Sequence, residues 1–396
     1  MKWATAISTD DNFLTAVRET SAELRRELGE ATADLVLAFV SHHHRAVWDQ
    51  LPRLLDREHS GAVRLGCSAG ATIGGGREIE ETPSLALTAA SLPGVDLHPF
   101  VMDTNRAPAG QEAVDEWRRL VDVPADSQPV LIVLPEPFSV DVETVISALD
   151  AAYPGGTVVG GLASGARQAG SNALFAGDDV LSSGLVGVAL TGNIRAETVV
   201  AQGCRPIGTP LFITEVEGGL VTGLDGERPA TVLHDLFERL SERDQELLRY
   251  SLFLGVGVAP GHQSSGTGDF LIRNIAGLDP ESGALAVAAF VEPGQVVQFH
   301  LRDAEASAAD LYQHLDRYVR RTRADGPPAG GLLFSCLGRG AQLYGRPDHD
   351  SEAFRVRVGP VPLTGFFCNG EIGPVHGATH LHGYTSAFAL FRPRSE

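Results

Sequence analysis

The polar residues best placed for chemistry lie in the last third of the chain. Ser335-Cys336-Leu337-Gly338-Arg339-Gly340 follows a short apolar run. An arginine between two glycines can offer its fork to a carboxylate through two parallel hydrogen bonds; the other role open to it is a structural ion pair. Downstream, Gly365-Phe366-Phe367-Cys368-Asn369-Gly370-Glu371-Ile372-Gly373-Pro374 sets a turn signal, Asn369-Gly370, before a carboxylate. Glu371 can accept an ammonium or pair with an arginine. Two glycine-rich loops lie in the first half: Leu65-Gly66-Cys67-Ser68-Ala69-Gly70, with Gly74, Gly75 and Gly76 close behind, and Val159-Gly160-Gly161-Leu162-Ala163-Ser164-Gly165. Glycine lets backbone N–H groups approach a carboxylate or phosphate closely, and it equally serves tight turns and sheet packing. Together these nominate Ser335, Cys336, Arg339, Gly340, Asn369, Glu371, Gly66, Ser68, Gly160 and Gly161 as ligand-binding residues.

Other chemistries are less well provided for. Neither glycine loop ends in Gly-Lys-Ser/Thr, and neither is a clean G-x-G-x-x-G opening a helix, so no nucleotide cofactor is expected. Cys336 is the candidate nucleophile of an alternative reading, a cysteine-dependent transferase or hydrolase, if Arg339 and a histidine stabilise its thiolate. His42-His43-His44 opens a helix, and His380 and His382 alternate on a strand. No third ligand is fixed by spacing, and no metal is expected. A pure protein-interaction scaffold is the third reading.

These groups need an α/β frame. Leu35–Val40 is a continuous apolar run, as in a strand buried on both faces. Ser41 can cap the helix after it, whose stripe is Val47, Leu51, Leu54 and Leu55. Val130–Leu134 repeats the pattern, with Ser139 as N-cap and Val142, Val145, Ile146 and Leu149 as stripe, and a third instance begins at Gly331. Each leads to a strand that runs into small residues or glycine, and then to another strand, at Ser84–Ala90, Ser183–Leu190 and Thr385–Phe391. The order predicts layered mixed sheets with flanking helices, built from internally duplicated strand–helix–strand units in two modules. Asp10 or Asp11 is the expected cap of the first helix, and Asp303 begins the best helix. Between the modules, Pro210–Thr222 reads as a hairpin turning at Glu217-Gly218-Gly219. Ala230 to Tyr250 reads as polar helix, and Pro260 to Gly268 as loop. The boundary falls at Asp225-Gly226, giving domains 30–225 and 226–393.

With 396 residues, 43% of them hydrophobic, the chain can bury a sizeable core. Its net charge of −19, without a compensating basic cluster, argues against nucleic-acid and anionic-membrane partners. No apolar run spans a bilayer, the N-terminus lacks a secretory apolar region, and the four cysteines form no C-x-x-C. The expected compartment is the cytoplasm.

Taken in order, these segments resemble the FIST family, named for F-box and intracellular signal transduction proteins. The FIST N-like part carries the strand at Leu35, the Leu65–Gly70 loop, Val159-Gly160-Gly161 and Gln202-Gly203-Cys204-Arg205-Pro206-Ile207-Gly208. The FIST C-like part carries Asp269–Ile275, Arg302-Asp303, Phe334–Gly340 and Gly365–Pro374. The resemblance implies a sensory protein that binds small ligands, amino acids or related carboxylates, and passes that state to a signalling partner. Members are often fused to a kinase, a cyclase or an F-box; here output in trans is expected. The family supplies no agreed catalytic residues.

Overall fold

The computed structural model describes residues 1–104, 108, 112–258 and 270–394. The chain divides into two compact units. One comprises Met1–Val200, Tyr312–Leu381 and Thr385–Glu396; the other comprises Ala201–Leu311 and His382–Tyr384. Asp225-Gly226 therefore falls inside the second unit, between the strand Leu220–Leu224 and the helix Pro229–Arg239. From Tyr312 the chain returns to the first unit, where the strands from Gly330 onward have their sheet partners.

In the first unit the strand–helix–strand pattern occurs three times. A buried apolar strand (Leu35–Ser41, Val130–Pro135 or Gly330–Cys336) pairs in parallel with the strand after its helical crossover (Val63–Ala69, Thr157–Gly161 or Leu363–Cys368). On its other side it pairs antiparallel with Leu85–Ser91, Leu185–Gly192 or Thr385–Arg392. The register repeats as well: Gly66 faces Ala38, Gly160 faces Val133 and Gly365 faces Leu333. A Cβ there would lie 2.0, 1.9 or 1.7 Å from the facing carbonyl oxygen. Only glycine fits at these three positions, for packing rather than for turn geometry.

Beyond its second strand, each repeat sends out a hairpin that joins another repeat's sheet. Ala71–Gly74 and Arg77–Ile79 pair onto Leu363–Cys368. Leu174–Ala176 and Asp179–Leu181 pair onto Val63–Ala69. Glu371–Val375 and Ala378–His382 pair onto Thr157–Gly161. The exchange is cyclic: first to third, second to first, third to second. Edge strands Lys2–Ser8, Val95–Met102 and Arg195–Gln202 complete three six-stranded sheets.

Alternate residues of each strand point to opposite faces. One set from all three sheets, including Leu37, Phe39, Ile132, Val188, Phe334, Phe366 and Ala389, forms a single common core. Phe366 stacks on Phe39 at 4.8 Å and meets Phe334 edge-on at 5.9 Å. The other set packs under helices. Phe13–Leu28 and Leu51–Glu58 cover the first sheet, and Ala113–Val121 and Val142–Ala152 cover the second. Caps shifted from the expected residues because other groups claim the side chains. Asn12 caps the first helix, accepting from Thr15 N, while Asp10 accepts from Asn12 N. Asp141 caps Val142–Ala152 because the Ser139 hydroxyl accepts from Gly184 N. Ser41 Oγ accepts from Ser84 N instead of capping, and a 3-10 turn, His42–His44, follows it.

The second unit is a closed barrel of Cys204–Glu217, Leu220–Leu224, Leu285–Val287, Phe270–Leu278, Leu252–Gly257 and Val296–Arg302. Its first hairpin turns at Gly218-Gly219, both at positive φ. The predicted polar helix is two, Pro229–Arg239 and Glu242–Ser251; Ser241 caps the second by accepting from Asp244 N. Asp303 caps Ala304–Arg321 as expected, accepting from Glu305 N and Ala306 N. The loop Pro260–Gly268 and Asp269 lie outside the described residues. No helix among the described residues is long and apolar enough to cross a membrane.

Candidate functional site

The glycine loops meet in the first unit, where the second strand of each repeat ends. Gly70, Ser164 and Asn369 occupy equivalent positions four, four and four residues beyond Gly66, Gly160 and Gly365. Gly70 N donates to Ser164 Oγ at 2.8 Å, and Ser164 Oγ donates to Phe367 O. Asn369 donates from its backbone N–H to Leu162 O and from Nδ2 to Ala163 O, at 3.3 and 3.1 Å. A Cβ on Gly70 would meet Leu337 at 2.5 Å, and one on Gly165 would meet Ala69 O and His42. All three repeats thus contribute to one crown, on which Asn369, Gly165 and Leu337 are exposed.

The same crown loop leads into a buried ionic cluster. Arg339 is fully buried and grips Asp350 with Nε at 2.8 Å and Nη2 at 3.1 Å. Asp350 also accepts from Ser335 Oγ at 3.2 Å and from Ser386 Oγ, and faces His349 Nδ1 at 2.9 Å. Burial alone would push the Asp350 carboxyl up, but the Arg339 charge and these donors hold it well below the usual carboxylate range. Tyr344 lies against two of Asp350's partners: its ring stacks on His349 at 3.5 Å and sits 5.5 Å from the Arg339 guanidinium carbon. Glu78, from the exchanged hairpin, accepts from Ser351 N at 2.7 Å. Burial, then the neighbouring Asp350 charge, raise its carboxyl to about 8. Arg339 Nη1 and Glu78 Oε2 are buried without a hydrogen-bond partner.

Glu371 forms a second buried acidic site. Oε2 accepts from Thr385 N at 3.1 Å and Thr385 Oγ1 at 2.6 Å, and Oε1 accepts from Cys368 Sγ at 3.4 Å. Burial raises its carboxyl to about 7, against the lowering effect of the Thr385 bonds. The protonated form therefore favours the folded state. That stability is full below the ordinary value of 4.5 and is lost as pH rises through 7. The shift corresponds to about 3 kcal/mol. Glu78 acts in the same direction, and Asp350 acts oppositely, below its ordinary 3.8. Thermal unfolding followed across this range should show the melting temperature falling from pH 5 to about 8. Glu371→Gln, neutral at every pH, should flatten that fall.

The structure brings the nominated residues together but gives most of them structural partners. Arg339 commits Nε and Nη2 to the ion pair with Asp350 and keeps Nη1 without a partner. Both Glu371 oxygens are occupied, so it does not face an ammonium. Gly66 and Gly160 lie within strands, and Gly161 packs against Phe334 and Cys368. Ser68 Oγ is buried among Ser164 O, Asn172 Oδ1 and Ala173 N. Gly340, at φ +78°, leaves room for Glu80, which accepts from Ala341 N. Asn369 is exposed and Cys336 half-buried. Sequence reading missed Asp350, Glu78 and Ser164. The only local signal was a pair of acidic residues on either side of a single residue, Glu78-Ile79-Glu80 and Asp348-His349-Asp350.

Comparison with known proteins gives matches along nearly the whole chain. A protein of Mycobacterium tuberculosis described as uncharacterized is 37% identical over 391 residues, covering 99% of this chain and all of its own. An uncharacterized Mycobacterium bovis protein is 36% identical over 392 residues, covering 99% of each. The human F-box only protein 22 matches over 44 residues at 50% identity, 11% of each chain. Among solved structures, a cyanuric acid hydrolase from A. caulinodans aligns over 99% of this chain and all of its own, with 8% identity and a TM-score of 0.36. The FIST N domain matches residues 34–227 and the FIST C domain residues 229–374. FIST domains are associated with sensing in signal transduction, and on these matches the chain belongs to the FIST family.

Proposed function

We propose that this protein is a cytoplasmic small-ligand sensor, reading an amino acid or a related small carboxylate at the crown of the first unit and signalling to a protein partner in trans. The observation behind this reading is the convergence of three loop ends on Ser164, with Asn369 and Leu337 exposed beside them. Ligands of α/β sheets sit beyond the carboxyl ends of strands, where these loops lie. Arg339, two residues along from Leu337, keeps one guanidinium nitrogen unpaired. A carboxylate reaching it would complete a charge that Asp350 only half surrounds. Four cysteines without a disulfide suit a reducing compartment.

The test is thermal unfolding against a panel of amino acids and small carboxylates at millimolar concentration. A ligand at a hundred times its Kd stabilises by about 2.7 kcal/mol, and at least one member should raise the melting temperature. Leu337→Arg alters an exposed side chain and should keep the ligand-free melting temperature, and Asn369→Ala, which also removes the Nδ2–Ala163 O bond, should lower it slightly; both should lose the increment. A flat panel, or an increment retained in both variants, overturns the reading.

A further inference from the structure

At the ends of the third repeat's parallel pair, Cys336 stands in register with Cys368. Adjacent strands lie about 4.8 Å apart, within the span over which the Cα atoms of a disulfide are found. Registered residues also project to the same face of the sheet. The two thiols differ in access: Cys336 is half-buried and Cys368 fully buried. Cys368 Sγ touches two acceptors, Ser335 O and Glu371 Oε1, each at 3.4 Å. The other cysteines have no such neighbour in register. Cys67 faces Phe39 and Leu174, and Cys204 faces Arg302.

We propose that Cys336 and Cys368 form a reversible oxidation site whose substrate is a hydroperoxide, with Glu371 as the proton acceptor for Cys368. In the first step Cys336 Sγ attacks the terminal peroxide oxygen. An S–O bond forms and the O–O bond breaks. The thiol proton goes to the departing oxygen, which leaves as an alcohol or water, and Cys336 becomes a sulfenic acid. In the second step Cys368 Sγ attacks Cys336 Sγ. The S–S bond forms, the S–O bond breaks, and hydroxide takes up the proton that Cys368 passes through Glu371, leaving as water. The peroxide gains the two electrons that the two thiols lose.

The geometry sets the order of events. Cys336 is the thiol that a peroxide can reach. Burial and the nearby Glu371 push the Cys368 thiol well up, so it is unreactive until a sulfenic acid appears beside it. Glu371, titrating near 7, can then take the proton and release it again. The proposal does not rest on ligand binding at the crown.

The experiment treats the reduced full-length chain with hydrogen peroxide, blocks remaining thiols, digests without reductant and reads the peptides by mass spectrometry. Two of the four thiols should be lost. One linked species should join the peptide ending at Arg339 to the peptide containing Cys368, and dithiothreitol should reverse it. Cys368→Ser, or Cys368→Ala if the serine variant is unstable, should stop at a Cys336 sulfenic acid that dimedone traps. Cys67→Ser should leave the link intact. Glu371→Gln should slow closure several-fold without changing the rate of sulfenic acid formation; equal closure rates would remove Glu371 from the step. Wild-type protein in which Cys336 proceeds to sulfinic acid while Cys368 remains a thiol overturns the proposal. So does a link through Cys67 or Cys204, or retention of all thiols under conditions that oxidise free cysteine.

Discussion

Asp350→Ala should destabilise the first unit by about 3–5 kcal/mol, one of the two largest single-residue effects expected in this chain. The substitution strands a fully buried guanidinium and removes the shared acceptor of Ser335, Ser386 and His349. An exposed pair such as Arg346–Glu352 offers a contrast: water screens it, and breaking it should barely move the denaturation midpoint. Replacing both partners, Arg339→Met with Asp350→Leu, should recover much of the loss, because the penalty lies in the unpaired charge more than in the pair's net worth. Equilibrium denaturation of the single and double variants measures this. A double variant as unstable as Asp350→Ala would show that the hydroxyl and imidazole partners, not the arginine, set the cost. The variant has a second signature. Without the Asp350 charge, Glu78 loses one of the influences that raise its carboxyl, so the decline in stability toward alkaline pH should shrink.

Gly365→Ala should be at least as damaging. Its methyl group would fall 1.7 Å from the Leu333 carbonyl oxygen, and no rotamer relieves a clash between a Cβ and backbone. The two central strands of the third sheet would have to separate, with an expected loss of about 3 kcal/mol or more. Gly66→Ala and Gly160→Ala should behave alike, since the repeats impose the same register. Gly277, with open space around its Cβ position and no positive φ, is the control. Gly277→Ala should stay within about 0.5 kcal/mol of the parent. Urea midpoints for the four variants compare them directly. Tolerance at Gly365 alone would show that the third sheet yields where the others do not.

Much of this fold can be read along the chain because local burial dictates it. Leu35–Val40, Val130–Leu134 and Gly331–Cys336 are apolar on both faces, and each is a central strand. The hairpin at Gly218-Gly219 and the cap at Asp303 are also local, and both appear where expected. What could not be read is which sheet a hairpin joins. Nothing in Ala71–Ile79 specifies a partner almost three hundred residues away at Leu363–Cys368, because strand pairing depends on backbone groups that every residue shares. The site was legible to a similar depth. Arg339 and Glu371 stand out by type and setting. Their roles depend on Asp350 and Thr385, brought in by a helix and by the last strand, and a carboxylate's partner is set by the fold that buries it.

The cyclic exchange of hairpins also bears on how such a chain can come into being. Each repeat donates one element to a neighbour and receives one from the other, by the same rule, and the circuit closes after three. This is the connectivity of a head-to-tail ring, in which a heterologous contact returns to its start. Three separate copies of such a repeat, each turned by the same rotation from the last, would pair every exchanged hairpin by assembling as a trimer. Here the circuit is held in one polypeptide, which frees each copy to diverge: a glutamate at Glu136, a serine at Ser41 and a thiol at Cys336 occupy the same station in the ring.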